Sequence, residues 1–297
     1  MTSANPAGSA PRVGVALTSV MIMGLGVLLS GCTAMSSTAH SDGRVVVAGQ
    51  ARLDEASDSV VFPLDKYVGP LDTVIYRAQQ LVTRKCMALK GFDWQMSSFQ
   101  GVRDPVGFRL FGLWDMTDAV QYGYGIRPDP LSEAIQAMNR NLSAAGQAAL
   151  PACDKVGVTK FQDPRGTGMS KTESTTSASA LKGAAYRSTM NDPAAKKLIA
   201  AWQKCMKDKG IVANSVRTGS LMAEVDTTVT PLEQQIKIAM QEVQCKTSPP
   251  SIIQQLVDID ASYQLVSIAK YQTVLTEQLA KFTVVYDAAK KYITQNG

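Results

Sequence analysis

The chain has 297 residues, 45% of them hydrophobic, and a formal net charge of +5. This suits one large domain or two small ones with a real apolar core. The excess of Lys and Arg is too slight and scattered for a nucleic-acid surface, though it suits a neighbour of anionic lipid or wall polymer.

Arg12 precedes an apolar run from Val13 to Leu28, which ends in Leu29-Ser30-Gly31-Cys32. A short basic start, an apolar stretch interrupted by Gly24 and Gly26, and a small-residue cleavage site make a secretory signal rather than a spanning anchor. The Cys directly after Ser-Gly makes residues 1–31 a lipoprotein signal peptide, cut before Cys32, whose thiol is then acylated. The location expected from this is the outer face of the cell membrane, with membrane lipid as a partner through Cys32. Residues 32–43, rich in Ser, Thr, Ala and Gly, read as a flexible tether. The single histidine, His40, falls there. The folded region therefore lacks an imidazole for a triad, a general base or a metal ligand.

Val45-Val46-Val47 and Val60-Val61-Phe62 are short β-favouring runs. Gly69-Pro70 opens a helix whose face carries Ile75, Ala78, Val82, Cys86 and Leu89, ending at Gly91. From Phe92 to Pro130 the chain is aromatic and Gly-rich, with one short helix expected near Asp115 to Val120. Pro130 starts a helix with Leu131, Ile135, Met138, Leu142, Ala145 and Ala149 on one stripe, stopped at Pro151. Residues 163–182 nearly lack large apolar side chains and read as a flexible linker between halves 44–162 and 183–297.

Asn191-Asp192-Pro193 starts the next helix, which carries Leu198, Trp202 and Cys205 and ends at Gly210. Thr230-Pro231 opens another, with Leu232, Ile236, Ala239 and Val243 on one face, ending at Cys245. Ser251 then caps a segment without Gly or Pro as far as Gln295, about 65 Å long as one helix. Its apolar stripe slips out of phase across residues 267–274, the pattern of a stutter or a bend. The fold class expected is mainly α, with disulfide-stapled helical domains, a long C-terminal helix and minor β.

Cys86, Cys153, Cys205 and Cys245 remain after Cys32, and an even number in an exported chain implies two disulfides. Four cysteines allow three pairings. None are spaced C-x-x-C, so a metal site is not expected. The halves share a signature: Lys85-Cys86-Met87-Ala88-Leu89-Lys90-Gly91-Phe92 matches Lys204-Cys205-Met206-Lys207-Asp208-Lys209-Gly210-Ile211. Each unit ends an amphipathic helix and is followed by one further Cys, which favours pairing Cys86 with Cys153 and Cys205 with Cys245.

The Leu-Ser-Gly-Cys site, the two C-M-x-x-x-G units, the Tyr122-Gly123-Tyr124-Gly125 segment and the late long helix resemble a group of exported lipoproteins of high-GC Gram-positive bacteria. The resemblance implies a helical, disulfide-stapled fold on the outer face of the membrane, beside exporters and wall-binding proteins. It carries no catalytic residues to this chain.

Asp258 and Asp260 are two apart and so point to different faces of a helix. No nucleophile elbow, phosphate loop or dinucleotide fingerprint is present, so neither an enzyme nor a cofactor is expected. Trp94, Trp114, Tyr122 and Tyr124 either line a groove for glycan or peptide or form core between helices. Leu275, Leu279, Phe282 and Tyr286, with Ile293, form a stripe that a compact domain is too short to cover, an expected docking surface for an envelope or exporter protein. Two functions follow: a non-enzymatic adaptor or accessory subunit of an envelope or export complex, or a wall-associated binder using residues 94–124.

Overall fold

A computed structural model describes residues 37–39, 45–54, 59–69, 73–94, 110–125, 133, 136–137, 140, 142–165, 170–214 and 221–297. The signal peptide, Cys32 and most of the tether lie outside the described residues. Strands β1 (Ser37–Ala39) and β2 (Val45–Val47) pair antiparallel, as do β3 (Arg52–Asp54) and β4 (Ser59–Val61). Helices α1 (Asp65–Val68), α2 (Val74–Leu89), α3 (Met116–Tyr122), α4 (Ala144–Lys160), α5 (Lys171–Thr176), α6 (Ala178–Asn191) and α7 (Pro193–Asp208) follow. A two-residue ladder of β5 (Ala213–Asn214) with β6 (Met222–Ala223) precedes α8 (Leu232–Thr247) and α9 (Ile252–Asn296). The fold is mainly helical, with minor β.

Short polar side chains begin the helices. Asp192 accepts from the N–H groups of Ala194 and Ala195, and Pro193 takes the first helical position, where a missing N–H costs nothing. Ser143, Ser177 and Ser251 cap α4, α6 and α9, and Ser170 with Glu173 forms a reciprocal capping box on α5.

The two matched units are one geometry used twice. In α2 the Phe92 N–H reaches the Met87 carbonyl and the Gly91 N–H that of Ala88; in α7 Ile211 reaches Met206 and Gly210 reaches Lys207. Gly91 and Gly210 sit at φ 82° and 75°, the left-handed turn that closes a helix in this way. Met87 and Met206 are fully buried. Beside them Cys86 bonds Cys153 on α4 and Cys205 bonds Cys245 on α8, with Cα separations of 5.5 and 5.8 Å. At Gly157 of α4 an added Cβ would lie 2.5 Å from the Gln79 carbonyl, so this glycine lets α4 close onto α2.

Three expectations are corrected. Residues 163–182 are not a featureless linker: α5 and the start of α6 lie there. Ala178 and Leu181 bury against Leu64, Ile268 and Leu275, and Lys182 pairs with Asp65. Small residues and serine caps supply the order that large apolar residues do not. Glu133, Gln136, Ala137 and Arg140 are helical, as the spacing after Pro130 expects, but Leu142 and Ser143 break the stripe, and a second helix capped by Ser143 runs through Pro151 to Lys160 rather than stopping there. The disulfide and the α2 packing outweigh the one hydrogen bond that proline removes. The two halves also share one core, in which Phe111, Leu113 and Trp114 pack with Ile199, Trp202, Leu221 and Val243.

Helix α9 explains its own phase slip. Residues 256–262 are buried on every side, and the backbone leaves helical geometry at Tyr271, with φ −120° and ψ 18°. Beyond this bend Leu275, Phe282 and Ala289 are fully buried, and Leu279 and Tyr286 are partly so. Leu275 is covered by Leu64, Val68 and Leu181, and the rest by α2, Phe161 and Gly69, with the Arg165 guanidinium 3.8 Å above the Phe282 ring. The expected docking stripe is therefore core, because the bend lays the distal helix along α2.

Non-reducing peptide mapping should recover Cys86–Cys153 and Cys205–Cys245 peptides, whereas a Cys86–Cys205 peptide would contradict the fold. Replacing both Cys205 and Cys245 by Ala should cost about 3–4 kcal/mol in denaturant unfolding, from the loop that the bond closes. Phe282→Ala should cost about 3–5 kcal/mol by the same measurement, the loss expected for a fully buried ring.

Candidate functional site

Of the two readings of the aromatic rings, groove or core, Trp94, Trp114 and Tyr124 take the core one. Trp94 is buried with Met87, Leu142 and Cys153, while Trp114 and Tyr124 are buried in the main core beside Trp202. Tyr122 is half-buried at the end of α3. The rings thus fall into separate apolar clusters and present no common face on which a sugar could stack. For the described part of this segment, Trp94 and residues 110–125, the ligand-groove reading gives way to core. At Gly112, φ +74°, an added Cβ would sit 1.8 Å from the Leu221 carbonyl oxygen.

What the aromatic segment encloses is a buried ion pair absent from the sequence expectations. Glu242 and Lys246, one turn apart on α8, are 0% and 1% exposed, and the Lys246 Nζ lies 2.6 Å from Glu242 Oε1. That ammonium also donates to the carbonyls of Phe111 at 2.9 Å, Leu113 at 3.1 Å and Leu221, and stands 5.0 Å from the centre of the Trp202 ring. Glu242 Oε2 accepts from the Tyr124 hydroxyl at 2.6 Å and from the Ala223 N–H at 2.8 Å. Two charges thereby gather residues 110–125, which include α3, with β6, α7 and α8, next to the Cys205–Cys245 bond. The signal was in the sequence: Ala239, Glu242, Val243 and Lys246 follow the 3–4 spacing of one helix face, which puts both charges on the apolar side.

The carboxylates of α9 are similarly committed. Asp258 accepts from the backbone N–H groups of Gly49 and Ala51, at 3.0 and 3.3 Å, and so holds the chain leading out of β2. Asp260 faces the other way, accepting from Gln264 Nε2 at 2.6 Å and Thr189 Oγ1 at 3.3 Å. Gln264 in turn accepts from the Leu64 N–H at 3.1 Å. Burial pushes the Asp260 carboxyl up to about 6, against the opposing pull of its hydrogen bonds to Gln264 and Thr189 and the charge of Lys182. The two aspartates serve different faces, as their spacing requires.

On the surface an open cleft of about 460 Å³ lies at the α6–α7 junction, bordered by Arg187, Ser188, Asn191, Asp192, Pro193 and Tyr263. The Asp192 carboxylate is engaged by the cap of α7 and by the Tyr263 hydroxyl at 3.0 Å. The Asn191 amide donates to the Arg187 carbonyl at 2.9 Å. The cleft offers hydrogen-bonding groups and one guanidinium, which can hold a small polar ligand; it pairs no nucleophile with a base. Among the described residues no cluster of His, Cys, Asp and Glu could hold a metal, and no helix is long and apolar enough to cross a membrane.

Comparison with family models, curated proteins and solved structures gave no match to this chain. The site is therefore read from its own residues.

Asp260 gives the folded state a pH signature. Its folded value of about 6 lies above the ordinary 3.8, so folding favours the protonated form. Stability from this group is full below about pH 4 and declines by about 3 kcal/mol as pH rises to about 6. Asp260→Asn should lack this decline in denaturant melts across that range, and parallel profiles for the two proteins would contradict the assignment.

Proposed function

We propose that the protein is an extracytoplasmic lipoprotein, anchored through acylated Cys32 on the outer face of the cell membrane, acting as a non-enzymatic accessory or adaptor subunit of an envelope or export complex. The observation that carries this reading is the pair of disulfides, each seated in the packed helical core and each repeating the same staple. Bonds of this kind persist in oxidising compartments, which agrees with a lipoprotein signal ending at Cys32. The resemblance to exported lipoproteins of high-GC Gram-positive bacteria belongs to the same proposal, and the matched geometry of the two C-M-x-x-x-G units supports it.

The non-enzymatic part rests on how the buried acids are used. Asp192, Asp258, Asp260 and Glu242 each hold a helix start, a loop or a neighbouring strand. Only Asp192 borders the open cleft, and there its carboxylate is taken up by the cap of α7 and the Tyr263 hydroxyl. The wall-ligand alternative loses its support with the burial of Trp94, Trp114 and Tyr124.

Cys32→Ala should accumulate as an unprocessed chain that takes up no labelled fatty acid, and normal acyl labelling of that variant would end the anchor reading. After mild solubilisation, the accessory role expects the wild-type protein to migrate with a stoichiometric partner on a density gradient. Migration as a free monomer under every solubilisation condition would contradict it.

A further inference from the structure

The chain's positive charge is unevenly placed. Helices α2 and α4 and residues 282–296 of α9, which pack together, carry seven cationic side chains against two carboxylates, Asp154 and Asp287. Their net of +5 matches the formal net charge of the whole protein. Among the described residues no carboxylate lies within ion-pair distance of Arg84, Lys85, Lys155, Lys160, Lys290 or Lys291, whereas lysines elsewhere pair with Asp65, Glu173, Asp208, Glu233 and Glu242. Uncompensated cations on adjoining helices repel each other, so the arrangement favours an anionic partner.

The cations converge on an aromatic ring. The ammonium groups of Lys85 and Lys160 lie 5.5 and 4.4 Å from the centre of Tyr292, and Arg84 donates to the Asn296 carbonyl at 3.3 Å. Exposed apolar side chains stand among them. Leu89 is 90% exposed one turn beyond Lys85, and Val156 is 50% exposed one turn before Lys160. Lysines flanking a tyrosine and bare aliphatic side chains match the boundary between headgroups and acyl chains, where apolar groups enter and cations meet phosphate. A soluble polyphosphate would leave Leu89 and Val156 in water. The Cys86–Cys153 bond fixes α2 against α4, so the face is presented already ordered.

We infer that this face, centred on Lys85, Lys160 and Tyr292, seats the folded part of the protein on an anionic phospholipid surface. The inference rests on the lipid-anchored reading only in that the anchor keeps such a surface within reach.

The test uses the acylated protein bound to vesicles of phosphatidylcholine alone, or of phosphatidylcholine mixed with phosphatidylglycerol. Lysines are modified with a water-soluble acetylating reagent and mapped by mass spectrometry. Lys85, Lys160 and Lys290 should react severalfold more slowly on the anionic vesicles, and high salt should abolish the difference. Lys196, Lys197 and Lys237, on other elements, should react equally on both. Protein lacking the acyl chain should sediment with anionic vesicles, and Lys85→Glu, Lys160→Glu and Lys290→Glu combined should weaken that binding by at least about a hundredfold. Equal reactivity of the three lysines on both vesicles overturns the inference, as does equal protection by soluble polyphosphate without vesicles. Failure of the anchor reading is seen separately, as loss of the protein from phosphatidylcholine vesicles.

Discussion

The Glu242–Lys246 pair is the constraint around which the main core is organised. An ammonium and a carboxylate in an apolar interior are tolerated only when their remaining donors and acceptors are also satisfied. Here the missing partners come from distant parts of the chain: carbonyls at Phe111, Leu113 and Leu221, the Ala223 N–H and the Tyr124 hydroxyl. The demand for those partners draws residues 110–125 and β6 to this point. Gly112 is needed because Leu221 O and Lys246 Nζ occupy the space that a side chain would take. Before α3 the carbonyls of Phe111 and Leu113 turn to this buried cation instead of into a helix or a strand ladder.

Around this centre the same device appears twice. A helix ends in a left-handed glycine, a methionine fills the core beneath it, and the cysteine before that methionine bonds the next packed helix. In the second half the device lies against the ion pair, since Cys245 precedes Lys246. In the first it locks α2 to α4 and leaves their outer surfaces cationic. Helix α9 ties both together. Its first half passes through the core with Asp258 and Asp260 turned to opposite sides, and its bend at Tyr271 brings the second half onto α2.

Local signals in the sequence located most of the helices. Capping residues and terminal glycines marked α7, the end of α2 and the start of α9, and the phase slip across 267–274 contains the bend. The repeated unit led to the disulfide pairing. What sequence could not supply was the direction of each apolar stripe after a bend, so Leu275 and Phe282 looked uncovered. It also undervalued serine, whose caps order residues 170–182 without large apolar neighbours. The aromatic rings could be read as groove or core, and what buries them is remote in sequence: Cys153 for Trp94 and, 118 residues on, Glu242 for Tyr124. Glu242 and Lys246 were legible in spacing, yet a Glu–Lys pair one turn apart most often marks a solvated face, as Lys237 with Glu233 does here.

The dependence of the core on its buried charges is tested most directly by a double-mutant cycle on Glu242 and Lys246, read by denaturant unfolding. Each single change, Glu242→Leu or Lys246→Met, leaves the other charge buried without its counterion and should cost about 3–5 kcal/mol. The double variant removes both charges and should lose well under the sum of the two. Additive losses would show that the two groups do not act as a unit, and would contradict the account of how this fold is held.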